Sequence, residues 1–347
     1  MTPPAIPARP TPAGIQAVLR RVATATKVVL AYCLLTAVAT AACAAETSAK
    51  FPAKPIRLVA SAAGGAGDFA ARLIAAELTQ RLGQQVAVDN RPGGVTPGEI
   101  LVKAQPDGYT LMMVGFVVWL SPYMRDHVPF DPVRDFLPVT LAISSPNVLV
   151  THPSLRVKSV QELIALAKQN PGTLNYALSG IGNSNHLAGE MFKAMAGVNI
   201  TAVPYRGASL ALNDVVGGRV QMIFATANSS QPHVTSGKLV ALAVTSAQPS
   251  PVAPGLPTVA SAGGAAMAGY ESAATIGILA RAGTPPAIVN LVHREIVRYL
   301  QSPSARDRLL KAGIEAVGNS PAEFAAMIRE DMRVKGKIIR DAGMRMD

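Results

Sequence analysis

Residues 59–72 read VASAAGGAGDFAAR and join the end of a hydrophobic segment to an apolar run with helical spacing. The residues just before Ala60 suit a β-strand, and residues 63–67 tolerate a tight backbone turn. Asp68 suits the N-cap or the first turn of a helix, which Phe69, Leu73, Ile74 and Leu78 then continue. The stretch therefore predicts a strand, a glycine turn and a helix.

A glycine turn at the start of a helix presents free backbone N–H groups at the positive end of the helix dipole. We therefore hypothesise that it holds a carboxylate of a small molecule, with a second wall built opposite by the rest of the chain. The alternative is a plain connection between strand and helix. The glycines at 64, 65 and 67 do not fit the dinucleotide pattern G-x-G-x-x-G, and the Gly-Lys-Ser/Thr ending of a nucleotide P-loop is missing.

The first 44 residues have the pattern of a secretory signal peptide. An apolar run at residues 28–39, VVLAYCLLTAVA, leads to a possible cleavage site ending at Ala44. This run is shorter than the ~20 residues of a membrane span. We predict cleavage near Ala44 and export to the periplasm. The alternatives are an uncleaved anchor and a lipoprotein modified at Cys43, which Thr40 disfavours. The run follows four cations and no acid: Arg9, Arg20, Arg21 and Lys27.

Both cysteines, Cys33 and Cys43, lie in this segment, so the mature chain would have no disulfide, thiol nucleophile or cysteine metal site. Removing the four cations lowers the formal charge from +11 to about +7. The remaining cations are not interleaved with aromatic residues, so we expect no nucleic-acid partner. A mildly positive surface favours encounter with anionic solutes.

Strands and helices alternate along the chain, which predicts an α/β fold with a parallel sheet. Residues 249–257 are expected to form a proline-rich connector. The expected strands are 54–59, 85–89, 109–114, 138–144, 148–150, 174–177, 200–203, 220–224, 239–245 and 270–280. The expected helices are 68–82, 98–104, a short one within 131–136, 159–169, 186–196, 208–216, 285–300, 303–312 and 321–342.

The strand, glycine loop and helix recur in the second half. Residues 179–185, SGIGNSN, form a polar loop between an expected strand and a helix that begins at His186. This unit again directs a loop and a helix N-terminus at a possible ligand.

The patterns of common enzymes are missing. The histidines at 127, 152, 186, 233 and 293 have no metal-ligand spacing, and no G-x-S-x-G nucleophile elbow occurs. His186 is either a capping or packing residue or a ligand contact. We predict no catalytic residue, no metal and no cofactor. The alternatives are an exported enzyme that binds a phosphate or carboxylate, and an orphan sensor receptor.

Sequence blocks along nearly the whole mature chain resemble the substrate-binding proteins of tripartite tricarboxylate transporters, the Bug family of bacterial periplasmic receptors. In order, the blocks are KPIRLV, AAGGAGDFAARLIA, GQQVAVDNRPG, AQPDGYTL, PFDPVRDFLPV, PNVLVTHPSL, SVQELIALAKQNPGTLNYA, HLAGEMFKAMAGV, VPYRGASLALNDVVGG, PHVTSGKLVALAVTS, LPTVASAG and LARAGTP.

The resemblance implies a two-domain α/β fold of the type II periplasmic-binding-protein kind with crossing hinge strands. Residues 45–146 and 268–347 would form domain 1, and residues 147–267 would form domain 2. The domains would close on a small organic acid and deliver it to the membrane permease subunits of a tripartite transporter. We expect a monomer.

The resemblance also implies which loops hold the ligand. Arg206, in the turn after the expected strand at residues 200–203, either pairs with a distal carboxylate or lies on the surface. The predicted ligand-binding residues are Ser61, Ala62, Ala63, Gly64, Gly65 and Asp68 in the first loop, Ser179, Gly180, Gly182, Asn183, Ser184 and His186 in the second, and Tyr205 and Arg206.

Several positions depart from the family pattern. Ala60 and Ser61 replace a usual Pro-Phe, Ala225 replaces an Asp, and Thr275 replaces a Trp. Residues 116–119, FVVW, replace a more polar loop. We expect these changes to make the pocket more apolar.

Overall fold

A computed structural model describes residues 51–61, 63, 65–91 and 94–346. Residues 54–347 form one compact unit, to which every element below belongs. The predicted signal peptide lies outside the described residues. Within the described ranges, no helix combines the length and apolar character needed to cross a membrane.

Ten strands and eleven α-helices are present in the described residues, with short 3₁₀ turns at Pro153–Leu155 and Ala265–Met267. The strands are β1 Ile56–Ala60, β2 Val86–Asn90, β3 Thr110–Gly115, β4 Phe136–Thr151, β5 Asn175–Leu178, β6 Thr201–Pro204, β7 Met222–Thr226, β8 Val240–Val244, β9 Ala273–Arg281 and β10 Glu315–Ala316. The helices are α1 Ala66–Leu82, α2 Thr96–Lys103, α3 Val117–Met124, α4 Val160–Gln169, α5 Ser184–Ala196, α6 Ala208–Val216, α7 Ala227–Thr235, α8 Val259–Ala262, α9 Pro286–Leu300, α10 Pro303–Lys311 and α11 Pro321–Asp341.

The strands form a mixed sheet in the order β2-β1-β3-β9-β4-β7-β5-β6, with β8 and β10 also paired to β4. β1 is parallel to β2 and β3, and β5 is parallel to β6 and β7. Antiparallel β4 and β9 lie between these two parallel groups. The predicted α/β class is confirmed, and the predicted parallel pairing holds within each group.

β4 is one continuous strand of 16 residues, so the prediction of two strands with a break at 145–147 is wrong. Its first part, to Pro146, pairs with β9, and its second part, from Asn147, pairs with β7. The backbone stays extended across the junction because each part has a different partner strand.

The prediction of a short helix within residues 131–136 is also wrong, because a turn occupies this segment. The Asp131 carboxylate accepts the N–H groups of Val133 and Arg134 at 2.9 and 3.0 Å. The Asp135 carboxylate accepts the Asp131 N–H at 2.8 Å. These side chains satisfy the backbone locally and so favour a turn over a helix.

The FVVW segment at residues 116–119 does not make the pocket more apolar, contrary to our expectation. It leads into α3, where Phe116, Val118 and Trp119 are buried. The Trp119 ring makes an edge-to-face contact with Phe324 of α11 at a centroid distance of 5.8 Å. These side chains are therefore part of the hydrophobic core.

Helix α7 was not predicted. Its sequence, ANSSQPHVT, is polar and includes Pro232, so it shows no apolar stripe. By contrast, α1 ends as predicted at Gly83, which has a left-handed φ of 68° and donates its N–H to the Thr79 carbonyl at 3.2 Å.

A buried polar cluster ties α3 to α11. The Trp119 indole N–H donates to one Asp331 carboxylate oxygen at 3.0 Å, and Lys335 Nζ lies 2.6 Å from the other. The Asp331 and Lys335 side chains are only 8% and 10% exposed. The carboxylate therefore compensates both a buried cation and a buried donor.

We expect Asp331→Ala to lower the free energy of unfolding by about 3–5 kcal/mol, because it leaves Lys335 as an uncompensated buried charge. Chemical denaturation would measure the loss. Asp307→Ala is the control, since it breaks the exposed Asp307–Lys311 pair and should change stability little. A loss no larger than that of the control would contradict this role.

Candidate ligand-binding site

The parallel pairing of β5 with β6 and β7 brings three helix N-termini to one edge of the sheet. Parallel strands end on the same side, and a short segment leads from each of these strands into α5, α6 or α7. This carboxyl edge is where open α/β sheets bind ligands. In the other parallel group, β1 leads through the first glycine loop into α1.

Two adjoining cavities lie at these helix ends. The first, here called the inner cavity, is about 60 Å³. Its lining joins strand residue Asn147 to the starts of three helices. The residues at these starts are Ser184 and Asn185 of α5, Ala208 of α6, Thr226, which ends β7 just before α7, and Ser229 of α7.

The second, here called the outer cavity, is about 320 Å³. It is lined by Gly65, Ala66 and Phe69 at the start of α1, and by Ser145 of β4. Asn228 of α7, Ala312 and Ile314 complete the wall. Thr226 lines both cavities, so the starts of α1 and of α5 to α7 face neighbouring spaces.

The first N–H groups of these helices are available as donors. α1, α6 and α7 have no side-chain cap, and their first residues are Ala66, Ala208 and Ala227. By contrast, α9, α10 and α11 begin with a proline, which has no N–H, and these prolines line neither cavity. The helices at the cavities thus keep the donors that anion binding requires.

The Asp68 side chain stabilises the first loop. Its side chain is buried in the first turn of α1, where one carboxylate oxygen accepts from Asn90 Nδ2 at 2.9 Å and lies 3.0 Å from Arg72 Nε. Asn90 Nδ2 also donates to the Ser61 carbonyl at 2.8 Å. Asp68 therefore fixes the loop, while exposed Ala63 and Gly65 lie on its surface. Ala62 and Gly64 lie outside the described residues.

The second loop is held by its own side chains. Ser179 Oγ accepts from Asn183 Nδ2 at 2.9 Å and from Asn185 Nδ2 at 3.0 Å. Asn183 Oδ1 caps α5 by accepting the His186 N–H at 3.1 Å. Ser179 and Ser184 line the inner cavity, whereas Gly180, Gly182 and Asn183 shape the turn beside it.

His186 packs against this loop. It is buried, and its Nδ1 accepts the Gly182 N–H at 3.1 Å. Gly182 has a left-handed φ of 77°, a conformation that favours glycine. Burial lowers the His186 pKa; nearby Glu190 opposes this shift, and Lys193 adds to it. The neutral ring with Nδ1 as acceptor is therefore the form that matches the loop.

Tyr205 and Arg206 lie outside both cavity linings. The Tyr205 hydroxyl donates to Asp214 at 2.8 Å, which anchors the turn before α6. Arg206 is exposed and makes no hydrogen bond or ion pair with any described residue.

Sequence reasoning missed several lining residues, chiefly Asn147, Ala208, Thr226 and Ser229. The polar run TANSS directly after a buried strand was the available signal for Thr226 and Ser229. Ala225, which replaces a usual Asp, does line the inner cavity. Thr275 is buried and lines neither cavity.

Recognition at these cavities depends on neutral donors. The described residues that line the two cavities carry no charged side chain. In the described part of the chain, no cluster of three or more His, Cys, Asp or Glu side chains could hold a metal ion. The arrangement suits an anion bound by helix N-termini and polar side chains.

This fold and site define a solute-binding protein, and comparison with known proteins gives the family. The profile of the tripartite tricarboxylate transporter family receptor, TctC, matches residues 70–344. The chain belongs to this family. Its members are periplasmic solute receptors and not enzymes, which confirms the predicted family and the predicted absence of catalysis.

Individual relatives and solved structures support the same family assignment. Protein BugT of Bordetella pertussis is 32% identical over 317 residues, which cover 89% of this chain and 96% of BugT. The solved structure of R. palustris Rpa4515 with adipate is 34% identical, with a TM-score of 0.69 over 85% of this chain and 99% of that one. MatC of Rhodopseudomonas palustris with bound malate is 27% identical, with a TM-score of 0.67 over 83% of this chain and all of MatC.

From the burial of His186 we predict how the stability of the protein depends on pH. Because burial lowers the folded pKa, the unfolded state takes up this proton first as the pH falls. The free energy of unfolding should therefore fall as pH drops from about 6.5 to the folded pKa, by at most about 1.4 kcal/mol per pH unit.

His186→Asn should remove this part of the pH dependence, because an amide oxygen accepts the Gly182 N–H without titrating. Denaturation between pH 5 and 8 would measure it. The control is His127→Asn at an exposed position. An unchanged pH dependence in His186→Asn would refute the assignment.

Proposed function

We propose that this protein is an extracytoplasmic receptor that binds a small carboxylate-bearing metabolite by domain closure and delivers it to a tripartite tricarboxylate-type membrane transporter. The observation that carries this proposal is the convergence of four helix N-termini on two adjoining cavities whose described lining residues carry no charged side chain. Backbone N–H groups there would bind a carboxylate without a catalytic residue.

The ligand is proposed to span both cavities. N–H groups of Gly64, Gly65 and the start of α1 hold one carboxylate, and the described residues Gly65 and Ala66 line the outer cavity. The second loop, with Ser179 and Ser184, closes on the ligand from the other side. Gly180, Gly182, Asn183 and His186 keep that loop in shape.

The related structures and the cavity lining support the proposed ligand class. Adipate and malate, named with two of the related structures, are small organic acids. In this chain Ala225 leaves the inner cavity without the carboxylate that the family pattern would place there. In the outer cavity, Phe69 and Ile314 favour a ligand with an apolar body.

Domain closure is proposed between residues 45–146 with 268–347 and residues 147–267. The chain crosses between these parts within β4, where pairing changes from β9 to β7 after Pro146. It returns before β9, where the Ser272 N–H donates to the Thr245 carbonyl at 2.8 Å. A ligand that contacts both parts would shift the population toward the closed form.

The cellular setting is part of the same proposal. A signal peptide at residues 1–44 would direct the chain to the periplasm, where it would act as a monomer and meet the permease subunits. No cofactor is required, because binding and release involve no bond change.

The central experiment is a thermal-shift screen of the purified mature chain against mono-, di- and tricarboxylates, with inorganic phosphate as the competing anion. A ligand at one hundred times its Kd should add about 2.7 kcal/mol to the free energy of unfolding. The bound acid should be recovered unchanged. Stabilisation by phosphate alone, or conversion of the acid, would overturn the proposal.

A proline at the first position of α1 tests the backbone donors. Ala66→Pro removes one N–H where helices tolerate proline, and the preceding Gly65 is already extended at φ −95° and ψ 176°. A hydrogen bond to a charged group is worth about 1.5–3 kcal/mol, so Kd should rise roughly tenfold or more.

Isothermal titration with the acid selected by the screen would measure this change. Ala66→Ser is the matched control, because it changes the side chain and keeps the N–H. Equal affinities of the two variants would exclude the Ala66 N–H as a ligand donor.

A further inference from the structure

The inference concerns Asn147, the residue at which β4 changes partner strands. Pro146 is the last β4 residue paired with β9, and Asn147 is the first paired with β7, opposite Thr226. Asn147 therefore lies at the junction of the two parts of the sheet. Its position also places it in the wall of the inner cavity.

The backbone of Asn147 is fixed on both sides. Its N–H donates to Thr245 Oγ1 at 2.8 Å, and its carbonyl accepts the Thr245 N–H at 2.9 Å and the Thr245 hydroxyl at 3.1 Å. Both backbone polar groups of Asn147 are therefore paired, and the side-chain amide is the part of the residue that remains to bind a ligand.

The side-chain amide is buried but unsatisfied. Asn147 is 1% exposed, and its Nδ2 has no hydrogen-bond partner. A buried donor without a partner destabilises the protein, whereas an apolar group of the same shape would not. An unsatisfied donor on a residue that lines a cavity indicates a function in binding.

The surroundings define what Asn147 can bind. The inner cavity, at about 60 Å³, has room for a compact group and not for a ring. The positive ends of α5, α6 and α7 face it, so a cation is disfavoured and an anion is favoured. A carboxylate is compact, anionic and able only to accept, and therefore matches both the space and the donor.

We propose that Asn147 is a specificity-determining residue of this receptor, whose Nδ2 donates to a carboxylate oxygen of the ligand in the inner cavity. This inference rests on the proposed function and adds the orientation of the ligand. The carboxylate enters first, and the remainder of the molecule extends past Thr226 into the outer cavity, beside Phe69.

Asn147→Leu tests the proposal because it has the same shape and lacks the donor. Without ligand, this variant should melt at a higher temperature than the natural chain, since a buried unsatisfied amide has been removed. Its Kd for the acid with the largest wild-type shift should rise at least tenfold. A merely structural role would lower stability and leave affinity unchanged.

Asn147→Asp places a negative charge in the same position and should abolish binding of that acid. Thr151→Val is the matched control, because Thr151 is another buried residue of β4 with an unpartnered hydroxyl and lines neither cavity. It should keep the natural affinity.

A second measurement tests which end of the ligand lies in the inner cavity. The natural chain should bind the selected acid far more tightly than its primary amide at the same carboxyl group, and Asn147→Leu should reduce this preference. If Asn147→Leu binds the acid as the natural chain does, this inference fails while the receptor function stands. If the natural chain binds no carboxylate, both fail.

Discussion

The binding site depends on the parallel pairing of β5 with β6 and β7. Because these strands end at one edge, the helices that follow them begin there and direct their N-termini to a shared space, α6 and α7 without a side-chain cap. A carboxylate bound by such groups needs no cationic side chain. This explains why the described lining residues are uncharged although the whole sequence is strongly basic.

Other polar side chains hold in place the loops that carry these N–H donors. Asp68, Asn90 and Arg72 fix the first loop, while Ser179, Asn183 and His186 fix the second. The charge of Asp68 is neutralised by Arg72 and lies outside both linings. Asn147 differs, since its Nδ2 is buried without a hydrogen-bond partner. Such local instability is typical of binding sites.

Membership of the TctC family fits this division between scaffold and site. The departures from the family pattern affect the two differently. Ala225 changes a lining residue of the inner cavity, whereas residues 116–119 join the core and contact α11. A departure from the family pattern can therefore change a cavity wall or be absorbed in the core, and the fold is kept in both cases.

Local sequence patterns were sufficient to predict the α/β class, the family, most helices and strands, and the two glycine-containing loops. These features depend on local spacing and capping, as at Gly83 and Asn183. The tertiary structure alone decided that β4 is continuous, that α7 forms in a polar stretch, and that Asn147 meets Thr226 across the sheet. The physical reason is that pairing and burial join residues far apart in the chain, and no local pattern records which strand a segment will pair with.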